Sequence, residues 1–191
     1  MFDIIADTPV TLRRKWRRRW VWRSCRSMFR WTVSTTARKA RRSPCAISTS
    51  HGGQPLCLPK TSLASIEDFE EVFRRQAEAG RPTLCLCFTG RMSGCVGSAR
   101  NARELVLEDY PDAKIEVMDS AAATVTEATM VENAVAIRDA GCTLDEAVTW
   151  LEAEKSTNNI FFTVGNLDYL IKGGRIGKVS GRAANFLASS R

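Results

Sequence analysis

The sequence predicts an α/β fold, a mostly parallel sheet with helices on both faces. Three observations lead there. Short apolar runs alternate with longer stretches at helical spacing, capping residues and glycines mark the boundaries between them, and hydroxyl-rich loops follow the apolar runs. Strands that alternate with helices need crossover connections, and these make neighbouring strands parallel.

Each element has its own signal. Phe2-Asp3-Ile4-Ile5-Ala6 reads as a short buried strand with Asp7-Thr8 at its carboxyl end. Ser65 is a helix N-cap, Glu67 and Asp68 suit the first turn, and Phe69, Val72, Phe73 and Ala77 recur at helical spacing until Gly80. Residues 83–88 form the next strand, and Ser98 to Tyr110 is helical, with Ala99, Ala102, Leu105 and Val106 on one face. Lys114-Ile115-Glu116-Val117-Met118 is a strand ending at Asp119-Ser120, and residues 124–139 form a helix closed by Gly141. Thr143 caps Leu144 to Lys155, with Glu146 at the reciprocal capping position. Ile160-Phe161-Phe162-Thr163-Val164 reads as a fourth strand. Leu167 to Lys172 is a helical turn running into Gly173-Gly174, and the chain looks helical from Ile176 onward.

In such a sheet ligands sit outside the carboxyl ends of the strands. Asp7, Thr89–Gly94 and Asp119-Ser120 all fall at that edge. Thr89-Gly90-Arg91-Met92-Ser93-Gly94 places Ser93 and Gly94 where a strand ends and a helix begins. Free backbone N–H groups and the helix dipole there favour an anion. With Leu58-Pro59-Lys60-Thr61-Ser62, these residues make a neutral Ser/Thr/Gly lining suited to a carboxylate or phosphate, with no metal.

At 191 residues there is room for one ordinary domain with a real core. The net charge of +7 comes from one segment. From Thr8 to Ile66 there are 14 Lys/Arg and no Asp or Glu, whereas Glu67 to Arg191 carries 14 Lys/Arg against 19 Asp/Glu. Seven cysteines, odd in number and irregularly spaced, read as small core residues of a reducing compartment. Cys85-x-Cys87 lacks a second pair to complete a metal site, and the single His51 lies in the basic segment. No metal and no cofactor is expected, and the cytoplasm is the expected location. With no visible acid/base pair, the chain is expected not to be an enzyme.

Residues 11–42 hold 13 Lys/Arg and four of the five Trp: Trp16, Trp20, Trp22 and Trp31. Taken literally, they suggest an arm for nucleic acid or a membrane surface. Yet they lack any apolar period and stand where the scaffold needs a helix and a strand. A shifted reading frame in a GC-rich gene accounts for both facts. Back-translated with GC-rich codons and re-read from the third base of the Lys15 codon, Lys15–Val33 permits V-A-A-E-V-G-V-E-V-V-P-L-H-V-P-L-D-G. That string is a helix end, a β-branched strand and a turn. The frame is restored before Pro59. An ordinary solvated loop is the third reading.

Leu58-Pro59-Lys60-Thr61-Ser62, Ser93-Gly94 with Ser98-Ala99, and Tyr169-Leu170-Ile171-Lys172-Gly173-Gly174-Arg175-Ile176-Gly177-Lys178 resemble the signatures of DegV proteins. Val117-Met118-Asp119-Ser120, Ile5-Ala6-Asp7-Thr8 and the re-read V-V-P-L core are similar to that family too. The resemblance covers residues 1–8 and about 56–188. It divides the chain into a first strand (1–8), an aberrant basic segment (9–55) and the rest of a DegV-type N-terminal domain (56–191). It implies a fatty-acid-binding protein that presents the acid to a fatty acid kinase. Thr61 and Ser93 would bind the carboxylate of a long-chain fatty acid, with Ser62 and Gly94 beside them. Asp7, Ser120 and Arg175 are further candidates for ligand or partner contact.

Cys95 departs from the family's usual Thr, and Ala121, Ala122 and Ala123 depart from its small-polar run. Family members continue into a second domain, so the end at Arg191 reads as truncation. Plainer readings stay open beside each assignment. Thr61-Ser62 would cap the helix near Ser65, Ser93-Gly94 would be turn chemistry, Asp7 would order a loop, and Arg175 would anchor the glycine turn. The alternatives for the whole chain are a non-functional frameshifted product and a nucleic-acid-binding protein acting through 11–42.

Overall fold

The computed structural model describes residues 1–7, 63–159, 161, 163, 170, 171, 173 and 174. The basic segment, Thr61, Ser62 and Arg175 therefore lie outside the described residues. Three strands, β1 (Asp3–Ala6), β2 (Thr83–Cys87) and β3 (Ile115–Asp119), form a parallel sheet in the order β1-β2-β3. Asp3 stands opposite Thr83, and Thr83 opposite Ile115, so all three carboxyl ends emerge at one edge. Every residue of the central strand β2 is buried, as a parallel strand covered on both faces requires.

The covering helices are α1 (Ile66–Glu78), α2 (Cys95–Asp109), α3 (Thr124–Asp139) and α4 (Leu144–Lys155). Side chains alternate across β2 with a period of two, and this divides the core. Cys85 and Cys87 pack with Ile5, Ile115, Phe69 of α1 and Ala99 of α2. Leu84 and Leu86 point the other way, toward Met118, Met130 of α3 and Leu151 of α4. Phe69 and Phe73 are wholly buried, with ring centroids 5.9 Å apart. Each contributes about 2–3 kcal/mol by leaving water. The expected two-faced α/β layering is what the described residues form.

Local chemistry sets the helix ends. Ser65 Oγ accepts the Asp68 N–H while the Asp68 carboxylate accepts the Ser65 N–H. Thr143 and Glu146 make the same reciprocal box on α4, and the Thr143 hydrogen bonds hold the Glu146 carboxyl below its ordinary range. The α1 cap is thus filled by Ser65, which takes that duty from Thr61-Ser62. Gly80, at φ +61°, ends α1 and lets Arg81 N–H reach Gln76 O at 3.0 Å.

Two expectations change. Helix α2 begins at Cys95, three residues before Ser98, because Cys95, Val96, Ala99, Ala102 and Val106 continue one buried stripe through Gly97. The strand expected over 160–164 falls where only Phe161 and Thr163 are described, and neither is in a strand. Met1–Asn159 forms one compact unit and Ile160–Arg191 another. In the second, Leu170 and Ile171 are helical, and Gly174 N–H closes a turn on Ile171 O at 3.0 Å.

Candidate functional site

The carboxyl edge of the sheet carries three loops that hold one another. Thr89 N–H donates to Ala122 O (3.0 Å) and Ser120 N–H to Cys87 O (2.9 Å), joining the loop after β2 to the loop after β3. The Asp119 carboxylate adds a clamp, accepting Gly90 N–H at 3.2 Å through both oxygens and Ala121 N–H at 2.8 Å. A Cβ at Gly90 would stand 2.8 Å from Asp119 Oδ2, so this close approach requires glycine. Ala121 (φ 51°) and Thr124 (φ 50°) adopt the left-handed region in the loop after β3. For a β-branched threonine that is an outlier costing about 1–3 kcal/mol, and such strain concentrates at functional sites.

The loop after β2 leads directly into α2. Thr89 O accepts Met92 N–H and Ser93 N–H at 3.1 and 3.2 Å, folding the chain so that Gly94 becomes the N-cap. The N–H groups of Gly94, Val96 and Gly97 find no acceptor among the described residues. The first turn of α2 carries no acidic side chain, whereas α1 has Glu67 and Asp68 and α4 has Asp145 and Glu146. The positive end of α2 is therefore left for an external anion. Gly94 is exposed and Ser93 half-buried, with Leu63 closing over Gly94.

The Ser93 hydroxyl is turned toward its own helix. Its Oγ accepts Cys95 N–H at 3.2 Å and lies 3.1 Å from Cys95 Sγ as a donor. Thiol sulfur is a weak acceptor, so the Ser93 proton is held loosely. Burial pushes the Cys95 thiol up, which keeps it protonated and a poor nucleophile. Ser120 is buried, with its hydroxyl donating to Ala122 O (3.3 Å) and accepting Ala122 N–H (3.2 Å). Asp7 is wholly buried, and its Oδ2 accepts Phe88 N–H at 3.0 Å.

One residue at this edge escaped the sequence reading. Glu127 of α3 is wholly buried, and neither of its carboxyl oxygens has a donor among the described residues, nor has Asp7 Oδ1. Burial first, and then a hydrogen bond to Asp7, push the Glu127 carboxyl up to about 11. Two ionised carboxylates have no proton to share, whereas a proton on Glu127 supplies the missing donor. Burial raises the Asp7 carboxyl too, against the hydrogen bonds that it accepts from Glu127, Phe88 and Cys95. The signal was present in the sequence: Glu127 shares the helix face of Val131, Ala134 and Val135, which are all buried.

A cleft of about 510 Å³ lies at the opposite edge, lined by Gly80, Pro82, Tyr110 and Lys114 among others. Pro82 and Lys114 immediately precede β2 and β3, so the cleft sits at the amino ends of the strands, away from the hydroxyl loops. No cluster of metal-ligating side chains occurs among the described residues. No described helix is long and apolar enough to cross a membrane.

Residues 54–188 match the family described as "Uncharacterised protein, DegV family", so the basic stretch at 11–42 lies outside the matched region. A DegV domain-containing protein of Clostridium perfringens is 34% identical over 131 residues, covering 69% of this chain and 45% of the relative. The structure of a "fat acid (stearic acid)-binding protein" from Eubacterium ventriosum is 37% identical, with a TM-score of 0.78 over 94% of this chain and 61% of that one. The Streptococcus pneumoniae Fatty Acid Kinase (Fak) B3 protein loaded with linoleic acid shares the fold, at 24% identity and a TM-score of 0.74 over 95% of this chain and 63% of that one. The chain spans about half the length of the curated relatives it matches.

Proposed function

The chain belongs to the DegV family, and from that membership we propose that it binds a long-chain fatty acid by its carboxylate at the carboxyl edge of the sheet. The observation that carries this reading is the start of α2, where three N–H groups lack acceptors beside the Ser93 hydroxyl and no acidic side chain opposes an anion. Ser93 and Gly94 are the described contacts, and Thr61 and Ser62 complete the set. The Ser93 hydroxyl swings its proton from Cys95 Sγ to the ligand while still accepting Cys95 N–H. The stearic-acid-binding relative, at 37% identity, supports the ligand class.

Neutral donors leave the carboxylate oxygens with lone pairs, so the bound acid keeps its capacity to attack a phosphoryl group. On that basis the chain presents the acid to a fatty acid kinase and performs no chemistry itself. Arg175, following two glycines, suits a phosphate or partner contact. Asp7 and Ser120 support the site from beneath. Calorimetric titration of the delipidated chain with stearate tests the proposal. Ser93→Ala is expected to weaken binding about 10–100-fold, the worth of one hydrogen bond to a charged group; unchanged affinity would remove Ser93 from the site.

A further inference from the structure

The hydrogen bonds around Ser93 continue inward. Ser93 Oγ lies 3.1 Å from Cys95 Sγ, and the Cys95 thiol in turn donates to the Asp7 carboxylate. Asp7 is also hydrogen-bonded to Glu127, so a chain of four side chains runs from the exposed loop to a wholly buried acid. Its members come from different elements: Asp7 follows β1, Ser93 and Cys95 stand at the start of α2, and Glu127 lies in α3. Around Glu127 the facing titratable groups are Asp7, Cys95 and Cys87 of β2. Helix α4 presents only apolar Leu144, Ala147 and Leu151 to the core on that side.

We propose that Glu127, Asp7 and Cys95 form a buried relay that ends on the Ser93 hydroxyl and sets its direction, which makes Glu127 a positioning residue of the anion site. The inference rests on the fatty-acid reading of Ser93. The mechanism is a fixed order of donors. Glu127 supplies the single proton between the two carboxyls, so Asp7 keeps a charge that attracts the Cys95 S–H. The thiol proton then points inward, and the sulfur lone pairs face Ser93. The Ser93 proton, held only by sulfur, turns outward to a carboxylate at little cost. If Glu127 could not donate, Asp7 would draw on Cys95 alone or take up a proton, and the order that orients Ser93 would be lost. The shared proton also limits this buried pair to one negative charge close to an anion site.

The test compares Glu127→Gln, which still donates, with Glu127→Met, which has similar length and no donor. Stearate affinity is measured in both, alone and combined with Ser93→Ala. The relay predicts E127Q within about threefold of the parent and E127M about tenfold weaker. It also predicts that E127M has no further effect once Ser93 is Ala, a non-additivity that a merely structural defect would not produce. Equal losses in E127Q and E127M, or additive losses with Ser93→Ala, overturn the inference while leaving the fatty-acid reading intact. Should E127M not fold, Cys95→Ala cuts the relay nearer the site, and it is expected to lose about tenfold and to show the same non-additivity; additivity there overturns the inference too.

A ligand-free arm separates the two readings. The Cys95 amide proton, bonded to Ser93 Oγ, reports the hydroxyl's direction by NMR. A resonance unmoved in E127Q but displaced in E127M, or in Cys95→Ala should E127M not fold, supports the relay even if stearate does not bind. A resonance unmoved in the donor-free variant overturns it.

Discussion

Replacing Glu127 with Gln probes the buried acid pair through stability alone. The folded chain holds the Glu127 carboxyl up to about 11, chiefly by burial, whereas an unfolded chain ionises it near 4.3 (about the value in peptides). Between those values the folded state keeps a proton that the unfolded state has released. Stability therefore falls as pH rises: the contribution is fully present below about pH 4 and is lost progressively toward about 11. One proton gives a slope of about 1.4 kcal/mol per pH unit, so the parent loses ~3 kcal/mol from this group between pH 6 and 8. Asp7, also raised by burial, acts in the same direction in both proteins, so it largely cancels in the comparison. The Gln side chain donates without titrating, and the E127Q curve is expected to be flatter by about that amount. Urea unfolding of both proteins at pH 6, 7 and 8 measures the difference. Parallel curves would refute the reasoning, because they would mean that Glu127 is ionised when folded.

Three further outcomes follow from named contacts. Gly90→Ala forces a methyl to within 2.8 Å of Asp119 Oδ2, so it should cost about 1–3 kcal/mol in denaturant unfolding; the added cost should shrink in an Asp119→Ala background. Thr143→Ala removes one half of the α4 capping box and should cost about 1 kcal/mol, read as a lower urea midpoint at unchanged slope. Phe73→Ala empties a wholly buried position between α1 and the sheet and should cost about 3–5 kcal/mol.

The layering was legible because each level of the sequence agrees with the next. The run Thr83–Cys87 is too short and too apolar for a surface helix, and Ser65 and Thr143 carry their reciprocal acids at the expected spacing. The start of α2 was misplaced because Gly97 looks like a boundary, yet a glycine within the first turn costs little when its N–H has no intrahelical partner in any case. Glu127 went unnoticed for a different reason. A glutamate in a helix is ordinarily solvated, and only its alignment with Val131, Ala134 and Val135 marks it as buried. Ser93 and Gly94 were found by their position after a strand, but the inward turn of the Ser93 hydroxyl depends on Cys95, and no sequence pattern encodes a rotamer. Thr61, Ser62 and Arg175 rest on the family signatures alone.

Comparing stearic acid with stearyl alcohol tests the central claim most directly, since the two differ only at the headgroup. Competition of each against a fluorescent fatty acid on the delipidated chain gives both affinities. An anion site at the start of α2 predicts that the acid binds at least about tenfold more tightly than the alcohol, and that Ser93→Ala narrows the gap. Equal affinities, or no displacement by the acid, would contradict a carboxylate site built from Ser93 and Gly94.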